Sequence, residues 1–86
     1  MIAKYGYEKK SDCLITIDLN HNGIDIDVES KLQKLFARHI EEAVKEVLTE
    51  MKIVNAKVDV KDFGALDFVV KARMRTVIKR ALSEGE

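Results

Sequence analysis

The sequence predicts an α+β domain: a two-layer sandwich in which two helices cover one face of a three-stranded sheet. Three segments, at 12–19, 24–29 and 55–61, alternate apolar and polar residues with the period of a half-buried strand. Two longer segments, after Ser30 and after Gly64, space their apolar residues three and four positions apart, as amphipathic helices do. The predicted order of elements is therefore ββαβα.

The first two predicted strands are joined by the short polar segment Asn20-His21-Asn22-Gly23. Asn-Gly pairs accept the positive φ angles that tight turns require, so we expect a β-hairpin here. A right-handed crossover from the second strand would place the third beside the first and antiparallel to it. The face of the sheet that the helices leave uncovered is expected to be largely polar.

The first predicted helix begins after Ser30, which forms a capping-box pattern with Gln33. Its apolar stripe is expected to be buried and comprises Leu32, Leu35, Phe36, Ile40, Ala43, Val44, Val47, Leu48 and Met51. The second helix is expected to bury Leu66, Val69, Val70, Val77, Ile78, Ala81 and Leu82. Asp67 in its first turn, with Lys79 and Arg80 in its last, would complement the helix dipole.

Size and charge limit the functions that the chain can have. Its 86 residues are enough for one domain, and we expect a partly mobile polar segment at 1–11 ahead of a single domain at 12–83. The 15 basic and 15 acidic residues balance, so no net field recruits nucleic acid or an anionic membrane. A lone Cys13 cannot form an internal disulfide, which fits a reducing compartment. We therefore expect a cytoplasmic protein with neither nucleic-acid nor membrane partners.

One segment has the spacing of a calcium loop. Residues 18–29 place oxygen-bearing side chains and a glycine at the positions that such a loop uses. The residues before it have the pattern of a strand rather than a helix, and Asp25 occupies a position that is usually apolar. We interpret the segment as a solvated turn and predict no metal site.

Basic residues cluster on the second helix, where Lys71, Arg73 and Arg75 are the candidates for docking. Such a cluster indicates either a solvated helix face or a surface for phosphates or an acidic partner. Among the serines, Ser30 is explained by capping and Ser83 lies in the tail. Ser11 therefore remains as the serine without a structural explanation.

The segment Asp62-Phe63-Gly64-Ala65-Leu66-Asp67 and the following Lys71-Ala72-Arg73-Met74-Arg75 resemble two signatures of the citrate lyase acyl carrier protein family. These signatures are Gly-Ala-Leu-Asp and Arg-Ala-Arg-x-Glu. The strand at 12–17 and the segment 23–36 are similar to further parts of that family, so the resemblance runs from about Glu8 to Ala81. The carrier of malonate decarboxylase shares Asp-Phe-Gly-Ala and is the alternative within the same family.

The resemblance implies a non-catalytic carrier whose serine, in a Glu-Ser-Ser/Gly-Asp motif, holds 2'-(5''-phosphoribosyl)-3'-dephospho-CoA through a phosphodiester. A prosthetic-group transferase would load it, and its thiol would present acetyl and citryl groups to the alpha (transferase) and beta (lyase) subunits of citrate lyase. Here the motif region places Lys10 at the position of the modified serine and Ser11 one residue later. We expect attachment at Ser11. The alternative is a carrier-like interaction module that holds no prosthetic group.

Overall fold

The computed structural model describes residues 2–30 and 34–84, with the backbone alone for 34–36 and 84. In chain order the elements are β1 (Ile2–Gly6), β2 (Cys13–Asp18), β3 (Ile24–Ser30), α1 (Lys34–Glu50), β4 (Ala56–Asp62) and α2 (Asp67–Glu84). The α+β class and the two helices agree with the prediction. The sheet differs, because it has four strands rather than three.

The additional strand, β1, lies within the segment that was expected to be polar and partly mobile. It pairs with β2 along its whole length, antiparallel, with Ala3 opposite Ile17 and Tyr5 opposite Ile15. Only these two positions of β1 face the core, and two inward side chains are too few for a clear alternation in the sequence. The three-stranded prediction was therefore wrong, whereas the mobility of residues 1–11 stays a prediction.

The order of strands across the sheet is β1-β2-β4-β3. As predicted, β4 lies beside β2 and antiparallel to it; it also pairs in parallel with β3. The predicted hairpin between β2 and β3 was wrong, because β4 lies between them. The central position gives β4 a hydrogen-bonded neighbour on each edge. It also agrees with the full burial of Ala56, Val58 and Val60. Gly23 accordingly hydrogen-bonds to the start of β4, where its carbonyl oxygen accepts from the N–H of Ala56 at 2.9 Å.

Both helices pack on the same face of the sheet, and the core lies between them and the strands. The core positions predicted on α1 are buried from Ile40 to Leu48, and Met51 is half-buried just after the helix ends. Leu32 and the capping partner Gln33 lie outside the described residues, as do the side chains of Leu35 and Phe36. On α2 the buried stripe consists of Val70, Met74, Val77, Ile78 and Ala81. Their spacings of three and four place them on one helix face.

The region of α2 differs from the prediction in four respects. Leu66 is 62% exposed, because it precedes the first turn of the helix, and Leu82 is 44% exposed, one position off the buried stripe. Met74, which was not on the predicted list, is fully buried. The helix continues to Glu84, so Lys79 and Arg80 lie before its last turn.

The other face of the sheet is largely polar, as predicted. By strand register it presents Lys4, Thr16, Asp25, Asp27, Glu29, Lys57, Asp59 and Lys61. Neither of the helices described is both long and apolar enough to cross a lipid bilayer.

Candidate functional site

Ser11 lies in the loop that connects β1 to β2. The loop is closed by backbone hydrogen bonds, in which the N–H of Tyr7 donates to Cys13 O at 3.0 Å and that of Asp12 to Lys9 O at 3.1 Å. Ser11 is exposed, and its φ of 65° lies in the left-handed region that costs a non-glycine residue roughly 1 kcal/mol. Within the described residues its hydroxyl has no hydrogen-bond partner. The loop thus presents an uncommitted hydroxyl to solvent.

This loop is joined to the turn that follows β4. The N–H of Ser11 donates to Phe63 O at 2.9 Å, and the N–H of Phe63 donates to Asp12 O at 3.0 Å. The turn itself is held by the buried carboxylate of Asp62, which accepts from the N–H of Ala65 at 3.0 Å and from the hydroxyl of Ser30 at 3.2 Å. Two segments about fifty residues apart in the sequence, the serine loop and the glycine turn, are therefore in direct contact.

Asp12 and Arg73 tie the same loop to α2. Asp12 is 4% exposed, and both of its carboxylate oxygens accept hydrogen bonds from Arg73, from Nε at 3.1 Å and from Nη2 at 2.8 Å. The carboxylate also accepts from the N–H of Cys13 at 2.7 Å. The hydrogen bonds from Arg73 hold the pKa of Asp12 below its usual value, and those to Asp12 raise the pKa of Arg73. The pair is therefore fully ionised near neutral pH.

Two tyrosines of the β1 region surround the guanidinium of Arg73. It lies 5.1 Å from the centre of the Tyr5 ring and 5.5 Å from that of Tyr7, and its Nη1 donates to the Tyr5 hydroxyl at 3.3 Å. Arg80 lies 4.2 Å from the centre of the Tyr5 ring. Such cation–π contacts add to the ion pair and fix β1 against α2.

The three candidate docking residues do not form one free basic surface. Lys71 contacts Glu46 at 2.9 Å and Asp67 at 3.1 Å, and Arg75 contacts both carboxylate oxygens of Glu50 at 2.8 and 3.1 Å. These hydrogen bonds raise the pKa of Lys71 and of Arg75. Arg73 is directed to Asp12 instead.

A role of Lys71, Arg73 and Arg75 in docking stays a prediction. Tyr5, Tyr7 and the function of Asp12 were not predicted from the sequence. An aspartate directly after the candidate serine was the one local signal that could have pointed to this cluster.

Metal and thiol chemistry receive no support from the geometry. Within residues 2–30 and 34–84, no three His, Cys, Asp or Glu side chains come close enough together to hold a metal ion. In the segment with calcium-loop spacing, Asp18 accepts from the N–H of Asn20 at 2.9 Å and Asp25 contacts Lys57 at 3.5 Å. Burial raises the pKa of the Cys13 thiol to about 12, so it stays protonated.

Comparison with known proteins adds a family to this geometry. The model of the malonate decarboxylase delta subunit family, a family of acyl carrier proteins, matches residues 2–81. The citrate lyase acyl carrier protein of Lactococcus lactis is 46% identical over 80 residues, which are 93% of this chain and 83% of that protein. The chain belongs to this acyl carrier family. The resemblance of the glycine turn at 62–67 and of residues 71–75 of α2, the arginine helix, is thereby confirmed.

Further comparisons agree with this family of carriers. The citrate lyase acyl carrier protein of Oenococcus oeni is 40% identical over 84 residues, covering 98% of this chain and 87% of that protein. Among solved structures, a chain of a Pseudomonas malonate decarboxylase hetero-tetramer in complex with malonate superimposes with a TM-score of 0.72. That match covers 93% of this chain and 82% of the other at 20% identity, and so it supports the fold alone.

Membership of the carrier family implies a covalently attached prosthetic group and a place in a multi-subunit enzyme complex. The serine loop fits an attachment point, because the Ser11 hydroxyl is exposed and uncommitted while the backbone beside it is held on both sides. In this family setting the two sequence signatures have complementary structural roles. The glycine turn supports the loop through Phe63, and the arginine helix supports it through Arg73.

Proposed function

We propose that this chain is the acyl carrier subunit of a citrate lyase-like complex and that Ser11 is its attachment site. The group held there would be 2'-(5''-phosphoribosyl)-3'-dephospho-CoA, whose thiol supplies the thioester that carries acetyl and citryl groups. The supporting observation is the exposed Ser11 hydroxyl on a loop that the family signatures hold in place. Sequence similarity to citrate lyase carriers favours citrate chemistry.

The residues of this chain contribute position rather than acid–base chemistry. The Ser11 oxygen would attack the ribose-linked phosphorus of an activated, polyphosphate form of the group, losing its proton and displacing the remaining phosphates as the leaving group. Asp12, although adjacent, is buried and paired with Arg73, and its lowered pKa makes it a poor general base. A tether fixed at one end raises the effective concentration of the thioester at each active site that it can reach. Arg73 is accordingly a positioning residue for the loop.

The proposed partners are the alpha (transferase) and beta (lyase) subunits and the prosthetic-group transferase, all in the cytoplasm. A malonate decarboxylase-type carrier is the second candidate, favoured by the family model that matches residues 2–81. A carrier-like module that lacks the group is the third. It is favoured by Lys10, which occupies the position of the modified serine in the family motif.

Intact-mass measurement tests the attachment site. The full chain is co-expressed with its cognate prosthetic-group transferase, and the wild type is expected to gain the mass of one phosphoribosyl-dephospho-CoA group. Ser11→Ala is expected to lose the adduct completely. Ser83→Ala, which removes another exposed serine, is the matched control and is expected to keep it.

An adduct that persists in Ser11→Ala would overturn the attachment site, and a wild type that gains no mass would favour the module without the group. Citrate and malonate are then distinguished on the loaded carrier. With its thiol first acetylated, replacement of acetate by citrate to form the citryl thioester, catalysed by the cognate alpha subunit, supports the citrate assignment. Exchange with malonate instead would favour the malonate decarboxylase-type carrier.

A further inference from the structure

A groove of about 400 Å³ lies between α1 and the beginning of α2. Ile40, Ala43 and Val70 are buried and form its apolar floor. One wall is formed by Ala65 and by Leu66, which is 62% exposed. The volume is in the range that holds a small ligand or the side chains of a partner. A concave surface with an apolar floor and a few polar groups at its rim is typical of binding sites.

The rim of the groove is acidic. Glu42, Glu46 and Asp67 line it, together with His39. Glu46 and Asp67 share Lys71 as their cation, at 2.9 and 3.1 Å. Glu42 is exposed and has no ion pair in the part of the chain that the structure describes. Three rim carboxylates therefore share one directly paired ammonium group, and Arg75, the next cation beside Glu46, is itself paired with Glu50. The rim thus has more carboxylates than cations.

We propose that this groove binds a partner subunit of the complex, through an apolar side chain of that subunit that is flanked by lysine or arginine. The apolar side chain would contact Ile40, Ala43 and Leu66, and the flanking cation would pair with Glu42. The inference rests on the proposed function only in that it takes the partner from the same complex. It places docking on an acidic and apolar surface rather than on Lys71, Arg73 and Arg75.

The charge of the rim favours a basic partner over the prosthetic arm, the phosphoribosyl-dephospho-CoA group proposed on Ser11. The arm carries phosphates, and a citryl group adds carboxylates, so both would be repelled by the rim carboxylates. A basic segment of a partner is attracted by the same carboxylates. Burial of its apolar side chain in the groove adds the hydrophobic contact that is typical of the centre of an interface. The complex should therefore weaken as salt rises, since the charges at the rim are exposed and screened.

The test measures the affinity of the full-length carrier for its purified cognate alpha and beta subunits, by titration calorimetry at low and at high salt. Leu66→Ser removes the apolar wall, and Glu42→Lys reverses the free charge at the rim. Each is expected to weaken binding at least tenfold for one of the two subunits. Glu42→Lys is also expected to abolish most of the salt dependence. Val54→Ser is the matched control, because Val54 is 74% exposed and lies outside the groove.

Wild-type affinity of Leu66→Ser and Glu42→Lys for both subunits would overturn the proposal. Circular dichroism of each variant separates lost binding from lost folding. If Leu66→Ser does not fold it is replaced by Leu66→Ala, and if Glu42→Lys does not fold it is replaced by Glu42→Gln. Intact mass of the same variants separates this result from the attachment site. A variant that gains the adduct and fails to bind supports the groove. If the wild type gains no adduct and still binds through the groove, the proposed carrier function is contradicted and the groove proposal is supported.

A different result is expected if the groove holds the prosthetic arm instead of a partner subunit. If the groove held the arm, Leu66→Ser would bind both subunits normally, and the thioester of the loaded carrier would hydrolyse faster than in the wild type. That pair of results would contradict the partner assignment.

Discussion

The two sides of α2 use the same kind of contact in different surroundings. Arg73 and Arg75 each form two hydrogen bonds with one carboxylate at nearly the same distances. The side chains of Arg73 and Asp12 are 23% and 6% exposed, whereas those of Arg75 and Glu50 are 41% and 50% exposed. Because water competes for exposed charges, geometry alone does not give the value of an ion pair. The buried pair holds the serine loop, and the exposed pair lies on the surface between the helices.

The first prediction compares the loss of stability when each of the two arginine side chains is removed. Arg73→Ala leaves the carboxylate of Asp12 buried without its cation, which is expected to lower the free energy of unfolding by about 4 kcal/mol. Arg75→Ala leaves Glu50 in water and is expected to shift the unfolding midpoint only slightly. Urea denaturation followed by circular dichroism measures both variants. Equal losses in the two variants would show that burial does not distinguish the pairs.

The second prediction tests whether the backbone at the serine-loop end is also tightly packed. Gly6 has a φ of 117°, and a Cβ placed there would overlap the carbonyl oxygen of Cys13 on the paired strand. Gly6→Ala is therefore expected to lower the free energy of unfolding by about 3 kcal/mol, from strain and from the displaced strand. Gly23 also has a positive φ, of 81°, but nothing lies within 4 Å of a Cβ placed there. Gly23→Ala is therefore expected to lower the free energy of unfolding by only about 1 kcal/mol. Equal denaturation midpoints for Gly6→Ala and Gly23→Ala would contradict this difference.

The third prediction concerns pH. Because the pKa of Asp12 is lowered in the folded protein, its contribution is complete above the unfolded value of about 4 and is lost as pH falls through the folded pKa. Asp12→Asn is therefore expected to flatten the fall in stability below about pH 4. Glu50→Gln is the exposed counterpart, and its effect on that slope should be smaller because water screens the charge. Denaturation at a series of pH values measures the slopes. A wild-type slope in Asp12→Asn would show that this carboxylate does not carry the acid dependence.

Local pattern and long-range contact explain different parts of the site. The glycine turn, the arginine helix and Ser11 were recognisable from the sequence, since each is a short motif or an unexplained side chain. The bonds that join them were not, because Arg73 and Asp12 are 61 residues apart and no periodicity specifies that pairing. The basic residues of α2 show the same limit. Their spacing suggested one surface, whereas the folded chain directs Arg73 to the serine loop and Lys71 and Arg75 to carboxylates on α1.

The sequence by itself determined the three longer strands, both helices and most of their buried faces. These depend on the alternation of apolar residues along neighbouring positions, which is a local property. Only the tertiary structure decided that β1 joins the sheet, that β4 separates β2 from β3, and that Leu66 stays exposed beside a groove. Each of these depends on which surfaces meet, and that is fixed by the burial of the whole core rather than by any one segment. The position of Ser11 combines both: the residue can be read from the sequence, and the contacts of its loop with Phe63 and, through Asp12, with Arg73 arise only in the fold.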